Sequence, residues 1–344
     1  MNREEALLKY QEVTAADLKS GMEALEMNFR KEEARFKDRL CQAVIQSCSS
    51  YGNKEQPEYI HISLLRSWMD EDIFKIVLSL YDTDYFLDRH PLIKTIPCDD
   101  LFAPLIEVRR KLYQSLEYYR GQIEKYDADR MIRETAMAFF QKKAEWSRMV
   151  LRDLDRLKTA DNTLQEKRLV VKWGAFQEAG ETVFLTEPGR KNQQQFLEYN
   201  EKNGIDLWDV HYVYQSWEAV SFQDITLAKK NFLFIMLKNC IMEHCQWENC
   251  MMHGASFRGA KLKQVVFAGC DLSGSDFRET VFEQVQFIQC KLSGADFTGD
   301  NIDTVQFQGS LMNDARLSRD SLSCKGLDAS QLQQICMEEE PYVF

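Results

Sequence analysis

Residues 265–299 read VVFAGCDLSGSDFRETVFEQVQFIQCKLSGADFTG, and an apolar side chain returns at every fifth position. A helix repeats at about 3.6 residues and a strand at 2, so neither accounts for this period. Counted by five from Phe277, the apolar centres run forward through Phe282, Phe287, Leu292, Phe297, Ile302, Phe307, Met312, Leu317, Leu322, Leu327 and Leu332. Backward they run through Leu272, Phe267, Leu262, Phe257, Met252, Trp247, Met242, Leu237, Phe232 and Leu227 to Phe222. The register holds without insertion, which marks a repeat architecture. Two places before most centres stands a smaller residue, as at Cys240, Cys245, Cys250, Ala255, Ala260, Val265, Cys270, Ser275, Thr280, Val285, Cys290, Ala295, Val305, Ser310 and Ala315.

The stretches SGSDF, SGADF and RGAKL carry the pattern most clearly, and it resembles the pentapeptide-repeat family, whose consensus is A(D/N)LXX. The resemblance covers the last third of the chain. It implies a right-handed quadrilateral β-helix, one pentapeptide to a side and four to a coil, with coils stacked at the strand spacing of about 4.8 Å. The centre and the small residue before it would point inward and the other three positions outward. Sorting the chain by coil puts Trp247, Phe267, Phe287 and Phe307 on one side, and Phe257, Phe277 and Phe297 on the opposite side. Cys250, Cys270 and Cys290 form a further column, continued by Ser310. Ladders of like side chains are what an in-register stack favours.

Three residues depart from the interior rule. Asp300 and Asp320 occupy the small inward phase. Buried unpaired carboxylates are costly, so a bulge that turns them outward, hydrogen bonding or protonation must relieve them. Lys230 shares the phase, which places the start of the regular helix just after it. The segment GLDASQLQQICM reads as a short capping helix with Asp328 or Ser330 near its start. Such a cap would cover the open apolar end of the stack.

Residues 1–218 show no five-residue period. From Thr14 to about Gln46 the apolar positions Leu18, Met22, Leu25, Phe29, Phe36 and Leu40 share one helical stripe, and Thr14 with Asp17 resembles a capping box. The reading then gives a short strand at IHISLL, a helix over DEDIFKIVLSLYD and an extended piece at DYFLD. Long helices follow from Asp99 to Tyr126 and from about Ala128 to Lys158. A polar connector, a hairpin built from RLVVKWGAF and ETVFLTE, and a short helix over KNQQQFLEYNEKN complete the region. It is similar in pattern to mixed helical domains that precede pentapeptide repeats in bacterial proteins. The expected organisation is therefore an α+β domain, mainly helical, over 1–218, the β-helix with its capping helix over 219–336, and a mobile tail over 337–344.

Composition narrows the function. The formal net charge of the 344-residue chain is -11, which disfavours a general nucleic-acid or anionic-membrane binder. The opening MNREEALLKYQEV is unlike a secretion signal, and no apolar run approaches the roughly 18 residues of a membrane span. Ten cysteines, five of them in the inward phase, read as packing in a reducing cytoplasm. HCQWENCMMH has the look of a metal box, but Cys245 and Cys250 take inward phases while His244 and His253 take outward ones. Cys98 with His61 or His90 is the one nucleophile–base pairing to test. Arg109, Arg110 and Lys111 read as a solvated helix face.

No catalytic residue, cofactor or metal is assigned. The outward positions on the Phe267–Phe287–Phe307 side are nearly uncharged, while the opposite side carries Arg258, Asp276, Arg278, Glu279, Asp296 and Arg316. A flat wall poor in charge is a candidate docking surface. Its residues are Val266, Gln286, Ile288, Gln306 and Gln308; a Gln column that merely bonds to itself is the competing reading. The expected function is a non-catalytic protein-binding scaffold or adaptor of a bacterial cytoplasm, with a protein partner and with homodimerisation left open. The resemblance also implies an alternative, since some family members mimic double-stranded DNA and bind type II topoisomerases. An enzyme with its site in the N-terminal domain is the third reading.

Overall fold

The computed structural model describes residues 2–51, 57–67, 69–119, 121–151, 168–178, 180–186, 192–202, 215–318 and 326–337. Asp320, His211, the polar connector KTADNTLQEK and the tail from 338 onward lie outside the described residues. The chain forms two compact units, residues 1–184 and 185–344.

The first unit opens with α1 (Arg3–Ser50). Its cap is Asn2, whose side chain accepts from the Glu5 N–H while the Glu5 carboxylate accepts from the Asn2 N–H. The expected box at Thr14 is therefore absent. Thr14 lies a dozen residues inside the helix, and its buried hydroxyl bonds back to the Tyr10 carbonyl at 2.7 Å. The expected stripe holds, with Leu25, Phe29, Phe36 and Leu40 buried.

A mixed sheet of five strands follows, formed by β1 (Tyr59–Leu64), β2 (Lys75–Tyr81), β3 (Leu92–Pro97), β4 (Leu169–Ala175) and β5 (Glu181–Thr186) in the order β3-β2-β1-β4-β5. β1 and β3 flank β2 antiparallel, and β1 pairs with β4 in parallel. The segment DEDIFKIVLSLYD is thus a strand and not a helix. β2 is interior to the sheet and buried on both faces, so the alternation that marks a strand disappears from its sequence. DYFLD holds one 3-10 turn, Tyr85–Leu87, in place of an extended piece. β3 went unread, although its exposure alternates along much of its length.

The helices α2 (Asp99–Ser115), α3 (Lys125–Lys142) and α4 (Ala144–Leu151) fill the crossover between β3 and β4. The expected second long helix is broken at Lys143. Trp173 of β4 stacks on Phe140 of α3 at 4.1 Å and donates its Nε1–H to the Phe140 carbonyl. Phe29 and Phe36 of α1 close on Trp146 of α4 at 5.1 and 5.4 Å. One reading of this unit is reversed: Arg109 is 4 % exposed. Its guanidinium meets Asp72 and the Met69 carbonyl, and lies 3.2 Å from Asp129. Arg110, one residue on, does face solvent and pairs with Glu107.

The second unit starts with α5 (Gln193–Lys202). Phe196 is fully buried, 4.9 Å from both Trp217 and Phe222 and 6.1 Å from Phe232. Gln193 pairs with the backbone of Gln223 as a strand neighbour would, its Oε1 accepting from the N–H at 2.7 Å and its Nε2 donating to the carbonyl at 3.0 Å. This helix closes one end of the stack. The division at 184/185, rather than near 218, follows from that burial.

The solenoid has four walls. One is the ladder β6 (Ser221–Gln223), β8 (Ile241–Glu243), β10 (Lys261–Lys263) and β12 (Val281–Glu283). The next is β7 (Thr226–Ala228), β9 (Gln246–Glu248), β11 (Val266–Ala268) and β13 (Gln286–Ile288). The other two are joined by isolated bridges, such as Asp271↔Lys291 and Asp276↔Asp296. The register begins by Ser216, which bridges Met236, so the regular helix starts well before Lys230. Lys230 is itself buried within it.

The two expected aromatic columns form. Trp247, Phe267, Phe287 and Phe307 stack at 6.3, 5.1 and 5.4 Å, and Phe257, Phe277 and Phe297 at 4.9 and 4.7 Å. They meet edge to face across the interior, as Phe277 does with Phe287 at 5.5 Å. Such pairs add about 0.5–1.5 kcal/mol beyond area burial. The corners demand left-handed backbone. Gly269 sits at φ +64, where an added Cβ would come 2.4 Å from the Asn249 Oδ1, while Gln289 occupies its corner at φ 53 despite its side chain. At the far end α6 (Ala329–Leu332) begins at Asp328, in a capping box with Gln331. The Gln331 amide donates to the Phe307 and Ser310 carbonyls at 2.7 and 2.9 Å. β14 (Arg316–Leu317) pairs with β15 (Cys336–Met337), so Met337 belongs to the fold and not to the tail.

Candidate functional site

The outward residues of the β7–β9–β11–β13 wall fall into two columns. Gln246, Val266 and Gln286 are in register, and a bridge continues them to Gln306. Ala228, Glu248, Ala268 and Ile288 are in register beside them, and the Gln289 N–H donates to the Gln308 carbonyl one coil on. The five residues singled out from sequence are thus drawn onto one wall. Val266, Gln286 and Ile288 are half-buried, and Gln306 and Gln308 exposed. Glu248 bounds the uncharged area on one side. The self-bonding of glutamines occurs at the neighbouring corner, where Gln264 donates to Gln284 at 3.0 Å. Among the described residues no such bond links Gln286, Gln306 and Gln308.

Sequence reasoning missed the more exposed apolar residues. Val281 is 58 % and Ile241 41 % exposed, both on the adjoining β6–β8–β10–β12 wall. The signal was present, since both stand immediately before a centre, in the same outward phase as Val266. On the wall opposite the uncharged one, charges are paired: Arg258 with Glu279 at 3.1 Å, and Arg278 with Asp276 at 2.8 Å and Asp296 at 3.8 Å. Asp276 is fully buried there.

The interior thiols are packed and bonded. Cys270 and Cys290 each lie 3.3 Å from a carbonyl of the coil behind, those of Trp247 and Phe267. Burial pushes the Cys240 thiol up to about 12 and raises that of Cys245. His244 is exposed beside Asp224, and the His253 ring lies 5.4 Å from Phe234. Among the described residues no group of three or more His, Cys, Asp or Glu could hold a metal ion.

The pairing of Cys98 with a histidine does not form. Cys98 is level with Phe74, whose carbonyl accepts its N–H, whereas His61 pairs with Ser79. Five residues of strand, about 17 Å, separate those levels. Cys98 is fully buried, and burial raises its thiol far above the ordinary range. His90 lies in an exposed turn. His61 is buried, and burial first, then the Lys172 charge, lowers it to about 4. No helix among the described residues is long and apolar enough to cross a membrane.

Residues 240–317 match the family model of the pentapeptide repeat region. This part of the chain is a pentapeptide-repeat β-solenoid, and a unit of α+β structure precedes it. Among solved structures, the pentapeptide repeat protein alr5209 from Nostoc Pcc 7120 aligns at 18 % identity over 31 % of this chain and 84 % of its own, with a TM-score of 0.25. Rfr23 from the cyanobacterium Cyanothece 51142 aligns at 12 % identity over 28 % of this chain and 87 % of its own, at 0.23. QnrB1, a plasmid-mediated fluoroquinolone resistance protein, aligns at 13 % identity over 40 % of this chain and 86 % of its own, at 0.17. No curated protein matches the sequence.

Proposed function

We propose that this chain is a non-catalytic protein-binding scaffold, with the uncharged solenoid wall as a docking face. The observation that carries the reading is the alignment of Val266, Gln286 and Gln306 beside Ala268, Ile288 and Gln308 on a rigid ladder. A flat array of small, apolar and amide side chains can be desolvated without stranding a charge. The first unit would supply a separate contact.

The test is Ile288→Glu in a pull-down from the native cell. A charge buried at the centre of the contact is costly, so partner capture is lost, while thermal stability of the half-exposed site stays within about 0.5 kcal/mol of wild type. Arg316→Glu, on the far wall and exposed, is the control. Arg278 is unsuited to that purpose, because its guanidinium neutralises the buried Asp276. Capture retained by Ile288→Glu and lost by Arg316→Glu moves the docking face to the other wall.

The alternative, a DNA mimic acting on a type II topoisomerase, needs an unbroken acidic face. The arginines paired along the far wall weigh against it, and a gyrase supercoiling assay decides it.

A further inference from the structure

Asp300 is the acidic residue in the small inward phase among the described residues, and it is 7 % exposed. Its place in the solenoid has a fixed hydrogen-bonding pattern. Hydroxyls in this phase donate to the carbonyl 23 residues earlier, in the coil behind. Ser275 reaches Met252 at 3.1 Å, Thr280 reaches Phe257 at 3.0 Å and Ser310 reaches Phe287 at 3.0 Å. The Ser310 oxygen also accepts from the Cys290 N–H, 20 residues back. The site thus offers one donor and one acceptor to whatever side chain fills it.

Asp300 meets the donor: its Oδ1 accepts from the Thr280 N–H at 3.0 Å. Its Oδ2 is buried with no hydrogen-bond partner among the described residues. The same step of 23 leads from 300 to the Phe277 carbonyl, an acceptor. A carboxylate oxygen facing a carbonyl is repelled, whereas a carboxylic acid donates to it. The neighbouring charges act in the same direction. Asp276 and Asp296 both repel a negative Asp300, and Arg278, which lies between those two, is already engaged by them. Burial is the largest influence; with the repulsion of Asp276 and Asp296 it outweighs the Thr280 and Glu279 N–H groups, which favour the ionised form, and pushes the Asp300 carboxyl up to about 8.

We infer that Asp300 is held as a neutral carboxylic acid that latches the coil carrying it to the coil behind, so that loss of its proton loosens the end of the solenoid from there to the cap. Ionisation leaves a buried negative oxygen without a donor, repelled by the Asp276 and Asp296 carboxylates. The coil that loosens carries Gln306 and Gln308, so if the docking face proposed above is correct, capture weakens in the same alkaline range. The latch itself does not depend on that reading.

Two measurements on the full chain test it. Carboxyl NMR with [13C]Asp should show a resonance, absent from Asp300→Asn, that titrates near pH 8; a midpoint below pH 5 overturns the inference. Hydrogen exchange of peptides within 296–318, corrected for intrinsic rates, is then compared between wild type and Asp300→Asn. The amide keeps the acceptor for Thr280 and supplies a permanent donor, so the ratio of wild-type to Asp300→Asn exchange should rise at least several-fold between pH 6 and pH 9. A ratio that does not change between pH 6 and pH 9 shows that the proton does not control the coil and overturns the latch. Asp300→Ser, which reproduces the Ser310 arrangement, gives the same comparison should the Asn variant not fold.

Discussion

The two units solve the same burial problem in different ways. In the first, each core residue is in place because helices distant in sequence close on a sheet: Phe29 and Phe36 of α1 meet Trp146 of α4. In the second, each core residue meets the side chain 20 residues away, and Phe277 lies between Phe257 and Phe297. A solenoid coil contacts mainly its neighbours, so its stability is close to a sum of local terms. The first unit buries Arg109 among Asp72, Asp129 and a carbonyl. In the solenoid the small inward phase holds thiols and hydroxyls and, among the described residues, one acid in Asp300 and one amine in Lys230, while Arg258 and Asp276 are buried in ion pairs on the outer wall.

The sharpest way to break the contrast is a matched pair of deletions. Phe277→Ala removes a ring stacked on both sides and should cost about 3–5 kcal/mol. Arg109→Met should cost a similar 3–5 kcal/mol, because it leaves the buried Asp129 carboxylate without its cation, held by the Tyr113 hydroxyl, and takes one of the donors from the Met69 carbonyl. Calorimetry and exchange should show the first loss confined to the solenoid and the second to the helical unit. Loss of both units from either change would make the chain one cooperative body.

Overpacking is the next largest effect. Cys270→Leu forces a branched side chain into a column that holds thiols above and below and should cost about 1–3 kcal/mol, more than Cys270→Ala. Urea midpoints compare the two. A tolerant site would mean that the column is looser than its bonded thiols indicate.

Acidity should separate the units by sign. His61 has its folded value lowered to about 4 from an ordinary 6.5, so the unfolded chain binds the extra proton. Its unit should lose stability as pH falls from about 6.5 to 4. Asp300 has its value raised to about 8 from 3.8, so the folded chain holds the extra proton. The solenoid should lose stability as pH rises from about 4 to 8. His61→Gln and Asp300→Asn, followed by denaturant midpoints across pH, should each remove one slope and leave the other.

The smallest effect tests the corners. Gln289→Gly relieves a left-handed backbone without removing a buried group, and should stabilise the solenoid by about 0.5–1 kcal/mol. A destabilised variant would show that the Gln289 side chain contributes contacts which outweigh the strain.

The solenoid was legible because its contacts are local in a fixed register. One period of five set which residue faces inward, and one of 20 set which rings stack, so the Phe267–Phe287–Phe307 column and the wall bearing Ile288 could be placed without coordinates. The cap at Asp328 was legible for the same reason, being a local hydrogen-bond pattern. What faces outward on each wall followed, although the exposure of Val281 was overlooked.

The first unit was legible only where its pattern survives burial. α1 shows its stripe because it is wet on one side. β2 lost its alternation because both of its faces are covered, and Arg109 was misplaced because its partners come from a loop and another helix. The same limit held within the solenoid for α5, whose Phe196 is an ordinary short-helix residue until Trp217, Phe222 and Phe232 close around it. It held too for Asp300. The sequence alone determined that a carboxyl stands in an inward phase, because phase is counted along the chain. Only the tertiary structure decided that it points inward, with one oxygen on the Thr280 N–H and the other without a partner, because the coil behind and the charges of Asp276 and Asp296 set its surroundings.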